Sequence, residues 1–180
     1  LLEGDTTTAL RLMRAAVASA RASGFQMREH IALIANALAA AHSGEHAEAQ
    51  QALDQVFSHP MFAACRWHHW VGGCVAAYAA LLRDDDAGVL RHLRAALHVA
   101  RECGYRHGPM LFLCGDMMSR LCAFALLHGV EPDIARDIAV RNQLKAPPQA
   151  DASWPWAVRV RALGTLEVEI GGTPMASSRK

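Results

Sequence analysis

Apolar residues recur every three to four positions from Thr6 to about residue 142, and beyond residue 154 every second position. The first period is that of amphipathic helices and the second that of half-buried strands. The helical stretch divides into seven predicted helices, at about 6–23, 26–43, 46–58, 60–82, 87–103, 109–128 and 132–142. Their ends are punctuated. Asp5-Thr6-Thr7-Thr8 offers an N-cap, and Pro60 and Pro109 suit first-turn positions. Gly24-Phe25 and Gly104-Tyr105 read as left-handed C-terminal caps, each followed by an apolar residue able to pack back on its helix. In the tail, Val158 and Val160, then Leu166, Val168 and Ile170, alternate with Arg159, Arg161, Glu167 and Glu169. A hairpin centred on Gly164 sets Arg161 opposite Glu167 and Arg159 opposite Glu169, opposite charges on one face. Gly171-Gly172 then marks a turn.

The helical body carries an internal duplication. Ala9-Leu10-Arg11-Leu12-Met13-Arg14-Ala15-Ala16 through Arg21 and Gly24 lines up, at an offset of 80, with Val89-Leu90-Arg91-His92-Leu93-Arg94-Ala95-Ala96 through Arg101 and Gly104. A weaker copy halfway matches Ala49, Leu53, Val56 and Phe57 to Ala9, Met13, Ala16 and Val17. The turn signals Gly4-Asp5, Gly44-Glu45 and Asp84-Asp85 fall forty residues apart. A period of this length marks stacked helical hairpins, because one hairpin cannot bury its apolar face without neighbours. The layout resembles tetratricopeptide repeats, with helices longer than the usual unit of roughly 34 residues allows. That resemblance implies an all-α fold: a right-handed solenoid of antiparallel helical hairpins, ended here by a short β-hairpin. It places the helices at 26–43, 60–82 and 109–128 on the concave face, and those at 6–23, 46–58 and 87–103 on the convex side.

The tail, Trp154-Pro155-Trp156 followed by Val158-Arg159-Val160-Arg161-Ala162-Leu163-Gly164 and Thr165 to Met175, resembles the opening of OmpR-type winged-helix domains. The likeness is closest to those at the C-terminal end of large bacterial ATP-dependent regulators related to the maltose-type activators. In that family helical repeats stand just before the DNA-binding domain, and a short β-sheet precedes the helix-turn-helix. The resemblance therefore implies a repeat domain at 1–143, a linker at 144–153 containing Pro147-Pro148, and the first strands of a winged-helix domain at 154–180. The sequence stops at Ser178-Arg179-Lys180, before a recognition helix, so no base-reading residue carries over.

Composition narrows the classes. A formal net charge of +1 gives no global pull toward nucleic acid or anionic membrane. The longest uncharged run, Trp67 to Leu82, is short for a membrane span and holds two histidines and two glycines. Five cysteines, an odd count without a disulfide-framework spacing, point to a reducing, cytoplasmic setting. The opening Leu1-Leu2-Glu3-Gly4 has no Met and no signal peptide, as expected of a piece of a longer bacterial protein.

Candidate chemistry is sparse. Cys65, His69 and Cys74 raise zinc, whose ligands must converge within about 2.0–2.3 Å of one ion. Cys65 and His69 share a helix face, but Cys74 lies about half a turn round from it, so no metal is expected. Trp67, His68, His69 and Trp70 either anchor a concave ligand or peptide groove or pack a neighbouring hairpin. Asp116 and Arg120 stand at pairing distance on a predicted helix and are otherwise groove contacts, and Asn36 is either a buried amide or a groove residue. Arg91, Arg94 and Arg101, repeating Arg11, Arg14 and Arg21, form a basic stripe that is either a docking face or the solvated convex side. Gly72-Gly73 costs roughly 2 kcal/mol of helix propensity against two alanines, which the close approach of another helix or a kink would offset. No phosphate-binding loop, nucleophile elbow or His-Glu-x-x-His motif appears, so neither an enzyme nor a cofactor is expected.

The expected function is sensing. The repeats bind a protein partner, other domains of the same chain or a small-molecule effector, and relay that event to a DNA-binding domain, with no membrane role. A general interaction scaffold, or a small-molecule-binding helical domain without a DNA role, is the alternative.

Overall fold

Asp5 starts the first helix as the sequence predicts, its Oδ1 accepting a hydrogen bond from the Thr8 N–H at 2.8 Å. The structure is a computed structural model that describes residues 5–107, 115–163 and 167–175. Its elements run α1 (Thr6–Ser23), α2 (Gln26–His42), α3 (His46–Ser58), α4 (Pro60–Ala64), α5 (Arg66–Leu81), α6 (Asp86–Cys103), α7 (Gly115–Leu127) and α8 (Pro132–Arg141). The strands β1 (Val158–Arg161), β2 (Glu167–Ile170) and β3 (Thr173–Pro174) follow. The protein is thus mostly helical, with one small antiparallel sheet.

The helix ends obey local chemistry. Asp85 repeats the N-cap of Asp5, accepting from the Gly88 N–H at 2.9 Å. Gly24 and Gly104 end α1 and α6 in the left-handed region, at φ 66° and 71°. Tyr105 then folds back, its N–H donating to the Ala100 carbonyl at 2.9 Å. Phe25, its counterpart after α1, instead stays 55% exposed. Pro60 opens α4 as expected, whereas Pro109 and residues 109–114 of the predicted 109–128 helix lie outside the described residues.

One prediction needs correction. The helix predicted over 60–82 is two helices, broken where Cys65 adopts extended backbone at φ −132°, ψ 109°. The break turns α4 so that it touches α2, α3 and α5 together. Periodicity does not register a single extended residue inside an apolar run.

Sequential helices pack on one another: α1 on α2, α2 on α3, α5 on α6 and α7 on α8. Longer-range contacts join α2 to α5, α5 to α7 and α6 to α8. The centre is α5, buried at every residue from Trp70 to Ala80. A helix that is apolar all round belongs inside, which is why the Trp67–Leu82 run carries no charge. The two glycines make room for two different neighbours. A β-carbon on Gly73 would stand 2.9 Å from the Ala96 methyl of α6, and one on Gly72 would stand 3.3 Å from a Val56 methyl of α3. Close helix approach offsets their poor propensity.

After α8 the chain runs back along the body, burying Trp154, and then forms the sheet in the order β1-β2-β3. The register matches the sequence: Arg159 faces Glu169 and Arg161 faces Glu167, while Val158 faces Ile170 and Val160 faces Val168. Gly171 and Gly172, at φ 57° and 79°, make the tight turn into β3, which extends the predicted hairpin by a third strand. The central Gly164 of the first turn lies outside the described residues.

Candidate ligand and partner surfaces

The first turn of α5 carries Trp67, His68, His69 and Trp70. His68 and Trp70 are each 2% exposed, while Trp67 and His69 are half-buried. Trp70 stacks on Tyr105 with ring centroids 5.3 Å apart, and His69 stacks on Phe62 of α4 at 4.2 Å. The segment therefore faces largely inward and joins α5 to α4 on one hand and to the turn after α6 on the other.

Sequence reasoning missed the third partner in that joint, His30 of α2, which is fully buried. Its ring lies 4.3 Å from that of His68 and 5.0 Å from that of His59. Its Nε2–H donates to the Val56 carbonyl at 3.0 Å, leaving Nδ1 as the lone-pair nitrogen. His68 uses the opposite tautomer, with Nδ1–H donating to the Met61 carbonyl at 3.1 Å. His59 accepts from the Met61 N–H. Burial pushes the His30 pKa down to about 4, and the neighbouring His68 and His59 add to the effect against the Val56 hydrogen bond. The only sequence signal for His30 was its place on the apolar stripe of α2.

Among the described residues, no group of three His, Cys, Asp or Glu side chains is placed to hold a metal ion. Cys74 is a buried thiol pushed up to about 12 by desolvation. Cys65, at the helix break, is half-buried.

Asn36 is buried on α2 and donates from Nδ2 to Glu48 Oε1 at 3.3 Å. Glu48 is gripped from α1 by both arms of the Arg14 guanidinium, the Nε–H contact being 3.0 Å. That grip, with desolvation opposing and Asn36 assisting, holds the Glu48 carboxyl below its usual range. Arg21 reaches Glu29 at 2.9 Å and also Gln55. Together they strap a shallow polar groove of about 560 Å³ between α1 and α3, floored by Leu33 and Asn36.

Asp116 and Arg120 do not pair with each other among the described residues. Asp116 is exposed, while Arg120 turns inward, its Nη1 3.4 Å from the Tyr78 hydroxyl and its guanidinium carbon 5.5 Å from that ring's centroid. His42 also packs against Tyr78, with ring centroids 5.1 Å apart. Of the basic stripe, Arg91, Arg94 and Arg101 are all exposed on α6. Arg101 crosses to Glu131 just before α8, and Arg91 contacts its neighbour His92.

A further concavity is one the sequence did not indicate. About 940 Å³ lies between α8, the linker and the sheet, walled by Arg136, Val140, Leu144, Trp156, Arg159 and Ile170. The sheet is oriented unusually toward it. Arg159 and Glu169, on the charged face, are half-buried, whereas Val158, Val160 and Ile170, on the apolar face, are 55%, 58% and 51% exposed. No helix of the described residues is long and apolar enough to cross a membrane.

Fold and surfaces define a mostly helical protein with inward-facing aromatic joints and a groove where its helices meet a small sheet. Comparison with known proteins gives no matching family model, no matching curated protein and no matching solved structure.

Proposed function

We propose that this chain is the sensing and protein-interaction region of a bacterial transcriptional regulator. Residues 1–143 are a tetratricopeptide-like right-handed solenoid, and residues 154–180 begin a winged-helix DNA-binding domain that the solenoid controls. The observation that carries the reading is the bare apolar face of β1 and β2. A short sheet is marginal in water without a layer packed on its apolar side. Val158 and Val160 have no such layer among the described residues, and a helix-turn-helix packed there supplies one.

The body supports the same reading. The helices α2, α5 and α7 contact in series, and α6 contacts α8. The Arg14–Glu48 and Arg101–Glu131 pairs join successive members of the other helix set. Arg14 and Arg101, equivalent members of the repeated stripe, thus act as cross-links between stacked units. Binding of a partner or effector that favours one curvature of such a stack shifts its population and re-poses the attached domain.

The test is fluorescence anisotropy on the chain extended along its parent reading frame past Lys180, titrated with duplex DNA from its own genomic neighbourhood. Saturable binding whose affinity falls steeply with salt is expected. An extended, folded chain that binds no DNA defeats the reading and leaves an interaction scaffold.

A further inference from the structure

The groove between α8, the linker and the sheet has the size of a small-ligand site. Its volume of about 940 Å³ sits within the range of small-molecule sites, roughly 300–1,000 Å³, and such sites favour junctions between structural units. Three separate parts of the chain wall it. Val140 of α8 is 56% exposed, Ile170 of β2 is 51% exposed and Trp156 is 38% exposed. These are the apolar surfaces that a ligand would cover.

The aromatic wall is held in place before anything binds. The Trp156 Nε1–H donates to the Asp151 carbonyl at 2.9 Å, and its backbone N–H donates to the Trp154 carbonyl at 2.8 Å. An indole fixed at both ends costs little entropy on binding.

Charge chooses the ligand's head group. Glu169 stands 3.6 Å from Arg159 and 3.5 Å from Arg161, so the one carboxylate among the described residues of the groove is answered from within the sheet. Arg159 also donates to the Ala152 carbonyl at 2.5 Å. Arg136 is different. Its one acidic partner among the described residues is Asp133, whose 3.6 Å separation is too long for a hydrogen bond and whose side chain is 85% exposed. A guanidinium with free donors beside an apolar, aromatic-walled cleft suits a carboxylate or sulfonate carried on a flat apolar body.

We propose that this groove binds a small amphipathic anion, its ring or chain against Val140, Trp156 and Ile170 and its acidic head on Arg136. Such a ligand touches helix and sheet together, so binding fixes the angle between them. That relay rests on the regulator reading, whereas the binding itself does not.

The probe is 8-anilinonaphthalene-1-sulfonate, compared with N-phenyl-1-naphthylamine, which has the same rings without the sulfonate. The expected result is one saturable site for the sulfonate, with energy transfer from tryptophan. Arg136→Ala should weaken the sulfonate about tenfold, the worth of one charge-assisted hydrogen bond, and leave the neutral probe unchanged. Trp156→Ala should weaken both, and Val140→Asp, on the exposed side of α8, does the same should the tryptophan variant fail to fold. Val160→Ser, on the bare face of the sheet, should change neither. Circular dichroism establishes that each variant is folded. The proposal is overturned by the absence of a saturable site, by sulfonate binding indifferent to Arg136→Ala, or by loss of binding in Val160→Ser. None of these outcomes bears on whether the extended chain binds DNA, so the two readings fail separately.

Discussion

Gly73 of α5 and Ala96 of α6 approach so closely that a β-carbon on the glycine would lie 2.9 Å from the alanine methyl. The added methyl of Gly73→Ala gains about 1 kcal/mol of helix propensity but overpacks a contact where overpacking costs roughly 1–3 kcal/mol. The clash should win, lowering stability by about 1 kcal/mol in urea unfolding, while Gly72→Ala, facing the more yielding Val56 side chain at 3.3 Å, should cost less. A Gly73→Ala protein more stable than the parent would mean that α5 and α6 do not meet there.

Acid should destabilise the fold through His30. Its folded pKa, about 4, lies below the unfolded value of 6.5. Between those values the unfolded chain binds a proton that the folded chain refuses. Stability is therefore full above pH 6.5 and falls as the pH drops toward 4, by roughly 3 kcal/mol from this one group. His42 and His92, whose values burial also lowers, add with the same sign. Urea midpoints between pH 7.5 and 4.5 measure the slope. His30→Gln should flatten it, even at lower overall stability, and an unchanged slope would acquit His30.

The repeat makes a prediction at its caps. Gly24 and Gly104 hold the same left-handed conformation, and a β-carbon on either meets nothing within 4 Å. Alanine at each position should cost about 1 kcal/mol from backbone strain alone, and the two costs should agree. A clear inequality in thermal or urea unfolding would show that the duplicated motifs sit in different surroundings.

The bare sheet face should govern self-association. Replacing Val158 and Val160 together by threonine keeps β-propensity and changes stability by less than about 0.5 kcal/mol. Sedimentation velocity should then show less concentration-dependent association than the parent chain. Equal association in both would put the sticky surface elsewhere.

Much of this architecture was legible because its signals are local. Asp5, Gly24, Gly104 and Pro60 act within a few residues of themselves, so the helix ends fell where capping chemistry put them. The pairing of Arg159 with Glu169 followed from strand alternation plus the position of one turn. The break at Cys65 did not show, because an extended residue flanked by helix leaves the apolar pattern intact. His30 was hidden for a related reason: its chemistry comes from His59 and His68, which lie far along the chain and meet it only after α4 turns. The groove beside Trp156 was invisible because its walls come from three segments that meet only in the fold. Asp116 and Arg120 sit at the right spacing to pair, yet the Tyr78 ring offers Arg120 a competing, partly desolvated position.

The enclosure of α5 also limits how this body can change length. Repeat arrays lengthen or shorten by whole hairpins because each unit leans only on the next. Here one helix is sheathed by α2, α3, α4, α6 and α7 at once. Deleting any hairpin would strip a wall from it and lay a seam of alanine, valine and aromatic side chains open to water. The body should accordingly melt in one step, with no partly shortened form persisting.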